Sequence, residues 1–170
     1  MLKILGMVFI VAGAAGMGAY YSDRLKRRLA QLVESREIFA QLEAGREYLR
    51  LPYAQLLRKT ARGKSELFGG ALCEVADEME KNRENDAGAL WAASLSKRER
   101  QLLLSEEEQE LFLALANSLM SEGNPAKAVK LYEAQLEGCI RRTMEEKKEK
   151  QKLYGTASVL CGLFLVILLL

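Results

Sequence analysis

Few residues in this chain could do chemistry by type and spacing, and each candidate is weak. Histidine is absent, which removes the commonest general base. Cys73, Cys139 and Cys161 are scattered, with no second thiol at metal-ligand spacing and no activating partner in view. An odd, dispersed count fits a reducing compartment better than a disulfide scaffold. Arg62-Gly63-Lys64-Ser65 contains the triplet of a phosphate-binding loop. That loop needs a further glycine five positions before Gly63, where Arg58 stands, and a strand ahead of it. A turn between helices is the expectation instead. Glu106, Glu107 and Glu108 follow Ser105, a serine-glutamate pair that satisfies the unpaired donors of a helix start. In that first turn the carboxylates suit the helix dipole and need no metal. The expectation is therefore a non-enzyme, with no catalytic, cofactor-binding or metal-ligating residues and no cofactor.

With no chemistry to position, the elements matter for where they place surfaces. The 170 residues carry 25 Lys plus Arg against 23 Asp plus Glu. Near-neutral balance gives no reason to expect nucleic acid. Yet every charged side chain except Lys3 lies between Tyr21 and Tyr154. Leu153 to Leu170 is an uncharged run with eleven Leu, Ile, Val or Phe, and the chain is expected to end within it. As a helix it is roughly 27 Å long, close to the hydrocarbon thickness of a bilayer. Its apolar side chains favour insertion by roughly 3–6 kcal/mol in all. Residues 4–21 are a weaker uncharged run, richer in Gly and Ala. Arg24, Lys26, Arg27 and Arg28 follow the first run; Lys147, Lys148, Lys150 and Lys152 precede the second. Basic flanks mark the cytoplasmic side, so both ends should face outward with the middle inside the cell. A cleaved leader would instead place its basic residues ahead of the apolar run. Small-residue pairs, Ala12–Gly16, Ala14–Gly18 and Ser158–Gly162, have the spacing that lets membrane helices approach closely.

Between the ends the pattern is helical throughout. Leu25, Leu29, Leu32, Val33, Phe39 and Leu42 recur at helix spacing from Ser22 until Pro52 interrupts. Pro52 can open a short helix through Leu56 and Leu57 to Lys59. Leu67, Phe68, Ala71, Leu72, Val75, Ala76 and Met79 make the next apolar face, and Glu80 to Asp86 a loop. Leu90, Trp91 and Leu95 mark a short helix. Ser96 with Glu99 and Ser105 with Glu108 read as two capping boxes, the second opening a helix through Leu111, Leu115 and Leu119. Gly123-Asn124-Pro125 punctuates the start of a last helix with Val129, Tyr132, Leu136, Ile140 and Thr143 on one face. Residues 124–136 have the look of half a tetratricopeptide repeat, but no copy lies one period earlier. Glu145 to Lys152 reads as a solvated stalk. The predicted fold is all-α: a cytoplasmic bundle of about five or six helices (22–152) between two transmembrane helices (1–21 and 153–170). The first and last long helices should lie side by side and antiparallel.

The tail, KLYGTASVLCGLFLVILLL, resembles the closing segment of the stage III sporulation protein AB family. Leu42-Glu43-Ala44, Tyr48 and Pro52 match a segment of that family, and Leu90-Trp91 with Leu95 resembles its tryptophan-containing helix. Gly45-Arg46 and Leu51 depart from its pattern, as do Ala116 and Met120 where glycines are usual. The resemblance implies a protein of the mother-cell membrane facing the forespore. The family is similar to the cytoplasmic domains of type II secretion F platform proteins, and its members are thought to join a transenvelope channel complex. It thus implies a platform subunit whose partners are the bilayer, other channel subunits and plausibly a secretion-type ATPase, with a homo-oligomer open. The other reading is a membrane-anchored helical adaptor or regulatory protein unrelated to secretion. The exposed faces of the Leu67–Met79 and Ser105–Leu119 helices are the expected docking surfaces.

Overall fold

A computed structural model describes the backbone of residues 2–49, 51–81, 87–120 and 126–169. Side chains are described for the same residues except 2–19, 49, 120, 126–128 and most positions beyond 150. Six helices and no strand occur among the described residues: α1 (Leu2–Leu49), α2 (Tyr53–Ala61), α3 (Glu66–Lys81), α4 (Ala87–Ser96), α5 (Glu106–Met120) and α6 (Ala126–Leu169). The uncharged ends are not separate helices. They are the outer parts of α1 and α6, because nothing that breaks a helix separates them from the amphipathic parts. Among the described residues no helix is long and apolar enough to cross a membrane. The two expected spans, 1–21 and 153–170, rest chiefly on side chains outside the described residues. The Gly123-Asn124-Pro125 punctuation and most of the Glu80–Asp86 loop also lie outside them, although Glu80 and Lys81 still belong to α3.

The chain divides into two compact units: 30–140, and 1–29 together with 141–170. The first is built around four aromatic rings, one from each of four helices. Phe112 of α5 meets Phe39 of α1 edge-on at 4.7 Å, Trp91 of α4 edge-on at 5.2 Å, and Phe68 of α3 stacked at 5.8 Å between centroids. Such pairs contribute about 0.5–1.5 kcal/mol each beyond the burial of their area. Leu32, Ile38, Leu42, Leu57, Leu72, Val75, Leu115, Val129 and Leu136 complete the core. The apolar spacing of α3 holds at every position from Leu67 to Ala76. That of α1 is corrected at one: Val33 is exposed, and Ser35 and Ile38 are buried instead. Ser35 meets its burial by donating to the Gln31 carbonyl at 2.8 Å, one turn back in its own helix.

Within this unit α1 and α6 lie side by side, with Arg36 paired to Glu137 at 2.8 Å. Burial pushes the Glu133 carboxyl on α6 upward, and the charge of Glu43 on α1 adds to this. Gly45 lets α1 and α2 touch, since a Cβ there would overlap the Leu56 side chain. In the second unit, Leu25 and Thr143 are buried, Arg27 pairs with Asp23 at 2.8 Å, and most other described side chains are exposed.

Candidate functional site

The phosphate-loop triplet is a turn occupied by the protein's own carboxylates. Gly63 has φ +85°, a conformation glycine adopts without strain, and turns the chain between α2 and α3. Lys64 Nζ then pairs with Glu37 at 3.0 Å, and the Ser65 amide donates to Glu34 at 2.5 Å, both on α1. Ser65 Oγ caps α3 by accepting from the Phe68 amide at 3.4 Å. The lysine and the amide that would hold phosphate are already committed to acidic side chains some 30 residues away.

The polar face of α3 is also engaged within the molecule. Glu74, Asp77 and Glu80 follow one another at three-residue intervals along it. Arg58 of α2 forks onto two of them, reaching Glu80 at 2.6 and 2.8 Å and Asp77 at 2.7 Å. Glu74 accepts from Lys97 Nζ, from Arg98 at 2.7 Å and from Ser94 Oγ at 3.1 Å. Hydrogen bonds from Lys97 first and Arg98 second hold its carboxyl down at about 2. Arg98 also donates to the Ser94 carbonyl at 2.9 Å, so one guanidinium ties the end of α4 to α3. This face forms a clamp between neighbouring helices, while Asp77 and Glu80 stay about half exposed.

Ser96 and Glu99 form no capping box. α4 ends at Ser96, whose Oγ donates back to the Ala93 carbonyl at 2.9 Å, and 97–101 is a turn. The second box is real: the Ser105 amide donates to Glu108 at 2.8 Å and the Glu108 amide to Ser105 Oγ at 3.3 Å. Gln31 of α1 holds the connection between α4 and α5, donating to the Gln101 carbonyl at 2.7 Å and accepting from the Leu103 amide at 2.8 Å. Sequence offers no signal for this contact, because a glutamine on a helix surface is ordinary. The same is true of Arg46, which donates to the Leu119 carbonyl at 2.6 Å and so caps the end of α5. Burial pushes the Tyr53 hydroxyl up, with Arg46 pulling the other way.

Little space for a small molecule accompanies these groups. A crevice lined by Leu32, Ser35, Phe39, Glu108, Phe112 and Leu136 is nearly filled by its own walls. Among the described residues no group of acidic and cysteine side chains is arranged to hold a metal ion. Cys73 is exposed and Cys139 half-buried, both as free thiols; Cys161 lies outside the described residues. Two groups are found among the exposed side chains of this unit. Tyr48, 77 % exposed, and Leu51 stand at the corner between α1 and α2, and Glu106, Glu107 and Glu110 line the start of α5.

The family described as Stage III sporulation protein AB matches residues 3–170. Stage III sporulation protein AB of Bacillus subtilis (strain 168) is 27 % identical over 176 residues, covering all of both chains. No solved structure matches the chain. With an all-helical fold and a match running almost end to end, the chain belongs to the Stage III sporulation protein AB family.

Proposed function

We propose that this protein is a non-enzymatic platform subunit of a secretion-like channel complex between mother cell and forespore. Its 22–152 region faces the cytoplasm and docks partner subunits, plausibly including a secretion-type ATPase, while 1–21 and 153–170 anchor it in the membrane with both ends outside. The observation that carries the reading is the pairing of family membership with two uncharged helix ends, each flanked by basic residues on the bundle side. Large apolar side chains on the last part of α6 support it: Leu160 is 61 % and Phe164 67 % exposed, surface that lipid or another membrane helix would cover. In this reading the exposed Tyr48–Leu51 corner and the start of α5 take part in docking.

Affinity purification of the full-length protein from membranes of sporulating cells tests this. The expected result is co-purification of other membrane subunits and a secretion-type ATPase. A protein recovered solely as a monomer, after in-cell crosslinking from the exposed helix faces, would overturn it.

A further inference from the structure

Division of the chain into two units also divides its charge. Residues 1–29 with 141–170 carry eleven basic and four acidic side chains, whereas 30–140 carry fourteen basic and nineteen acidic. A chain of net charge +2 thus consists of a unit at +7 and a unit at −5. Folding concentrates the positive charge further, because the two basic flanks, more than a hundred residues apart in sequence, fall in the same compact unit. Arg24, Lys26, Arg27, Lys148, Lys150 and Lys152 are all exposed. Of the opposing carboxylates, Asp23 is shared with Arg27; Glu145, Glu146 and Glu149 are exposed on α6. Four of the six residues immediately before Leu153 are lysines, the point at which charge gives way to the apolar end.

We infer that the two flanks together form a collar that binds the headgroups of anionic phospholipids. Orientation across a membrane needs only a bias of basic residues on one side. A collar of this density at the edge of an apolar segment goes further: each Lys or Arg near an anionic lipid surface contributes independently, and the sum discriminates phosphatidylglycerol from phosphatidylcholine. The inference rests on the membrane anchoring proposed above. The occupant is a lipid because the collar adjoins the uncharged helix ends, so a headgroup can pair with lysine while its chains lie along the apolar surface.

Full-length protein is first tested for resistance to carbonate extraction from membranes, then purified in mild detergent, where orientation is irrelevant. Retained lipid is counted by native mass spectrometry after equal exposure to phosphatidylglycerol and phosphatidylcholine. The expected result is retention of phosphatidylglycerol at least about tenfold over phosphatidylcholine, lost at about 0.5 M salt. It should also be lost when Arg24, Lys26, Lys147, Lys148, Lys150 and Lys152 are changed to Gln, and kept when the five lysines among them are changed to Arg. Circular dichroism confirms that each variant retains its helices. Equal retention of both lipids, an undiminished preference in the Gln variant, or full displacement by inorganic phosphate would overturn the collar while leaving anchoring intact. Release of the wild-type protein by carbonate would overturn the anchoring, and the collar with it.

Discussion

The unit of 30–140 and the unit formed by 1–29 with 141–170 share the long helices α1 and α6 but are built by different means. In the first, four aromatic rings and a continuous aliphatic cluster exclude water, and the polar surface is tied up in pairs such as Glu74–Arg98 and Arg58–Asp77. In the second, Leu25 and Thr143 are buried, but Tyr20, Leu153, Leu160 and Phe164 are exposed, and the charge is strongly positive. The first unit buries most of its large apolar side chains within itself. The second presents what only its surroundings can satisfy, apolar surface and unbalanced positive charge. A helix in globular proteins draws most of its stability from an apolar face packed by tertiary structure; here the same two long helices change the source of that burial along their length.

The sharpest way to break this contrast is to empty the aromatic core. Phe112→Ala removes contacts with three rings at once and should cost about 3–5 kcal/mol, read as a lower unfolding midpoint of full-length protein in detergent. Leu160→Ala, at an exposed position on the other unit, should change the same midpoint by less than about 0.5 kcal/mol. Equal losses would erase the distinction between the units.

Next in size is the α1–α2 corner. Gly45→Val forces a branched side chain into Leu56 and should cost about 1–3 kcal/mol in the same melt. Gly45→Val combined with Leu56→Ala should regain part of that loss, a coupling that a purely local helix effect would not show.

The clamp on Glu74 sharpens the comparison through pH. Its folded carboxyl sits at about 2, below the ordinary glutamate value of 4.5, so the stabilisation is full above about 4.5 and fades as pH falls toward 2. Glu74→Gln should therefore cost about 1–2 kcal/mol near neutrality, with the gap from wild type closing below pH 4.5. A gap independent of pH would mean that the clamp's charge does not contribute. Smallest in stability is Tyr48→Ala: a change of less than about 0.5 kcal/mol, yet reduced recovery of partner subunits on co-purification. Unchanged recovery would remove the corner from the proposed docking surface.

Much of the fold is legible in sequence because helix spacing repeats locally. The face from Leu67 to Ala76, the Pro52 break and the Ser105–Glu108 box each depend on residues within a few turns of one another. What escapes is non-local. Val33 lies on the apolar stripe by spacing, but Ser35 takes an inside position because a serine can satisfy itself against its own helix. Ser96 and Glu99 match a capping box in spacing, yet the chain leaves α4 there rather than entering a helix. The ion pairs of the α3 face escape because its partners, Arg58 and Arg98, come from α2 and from the turn after α4. Gln31 and Arg46 carry no signal at all, since their roles consist of reaching backbone atoms some seventy residues away.

The placement of the bundle relative to the membrane is the central claim, and Cys73 reports on it directly because its thiol is exposed on the bundle. In a variant with Cys139→Ser and Cys161→Ser, a thiol reagent that cannot cross membranes should leave Cys73 unlabelled in intact cells. It should label Cys73 fully once the cells are permeabilised. Labelling of Cys73 in intact cells would contradict the account, placing the bundle on the outer side and the basic flanks against the wrong face of the membrane.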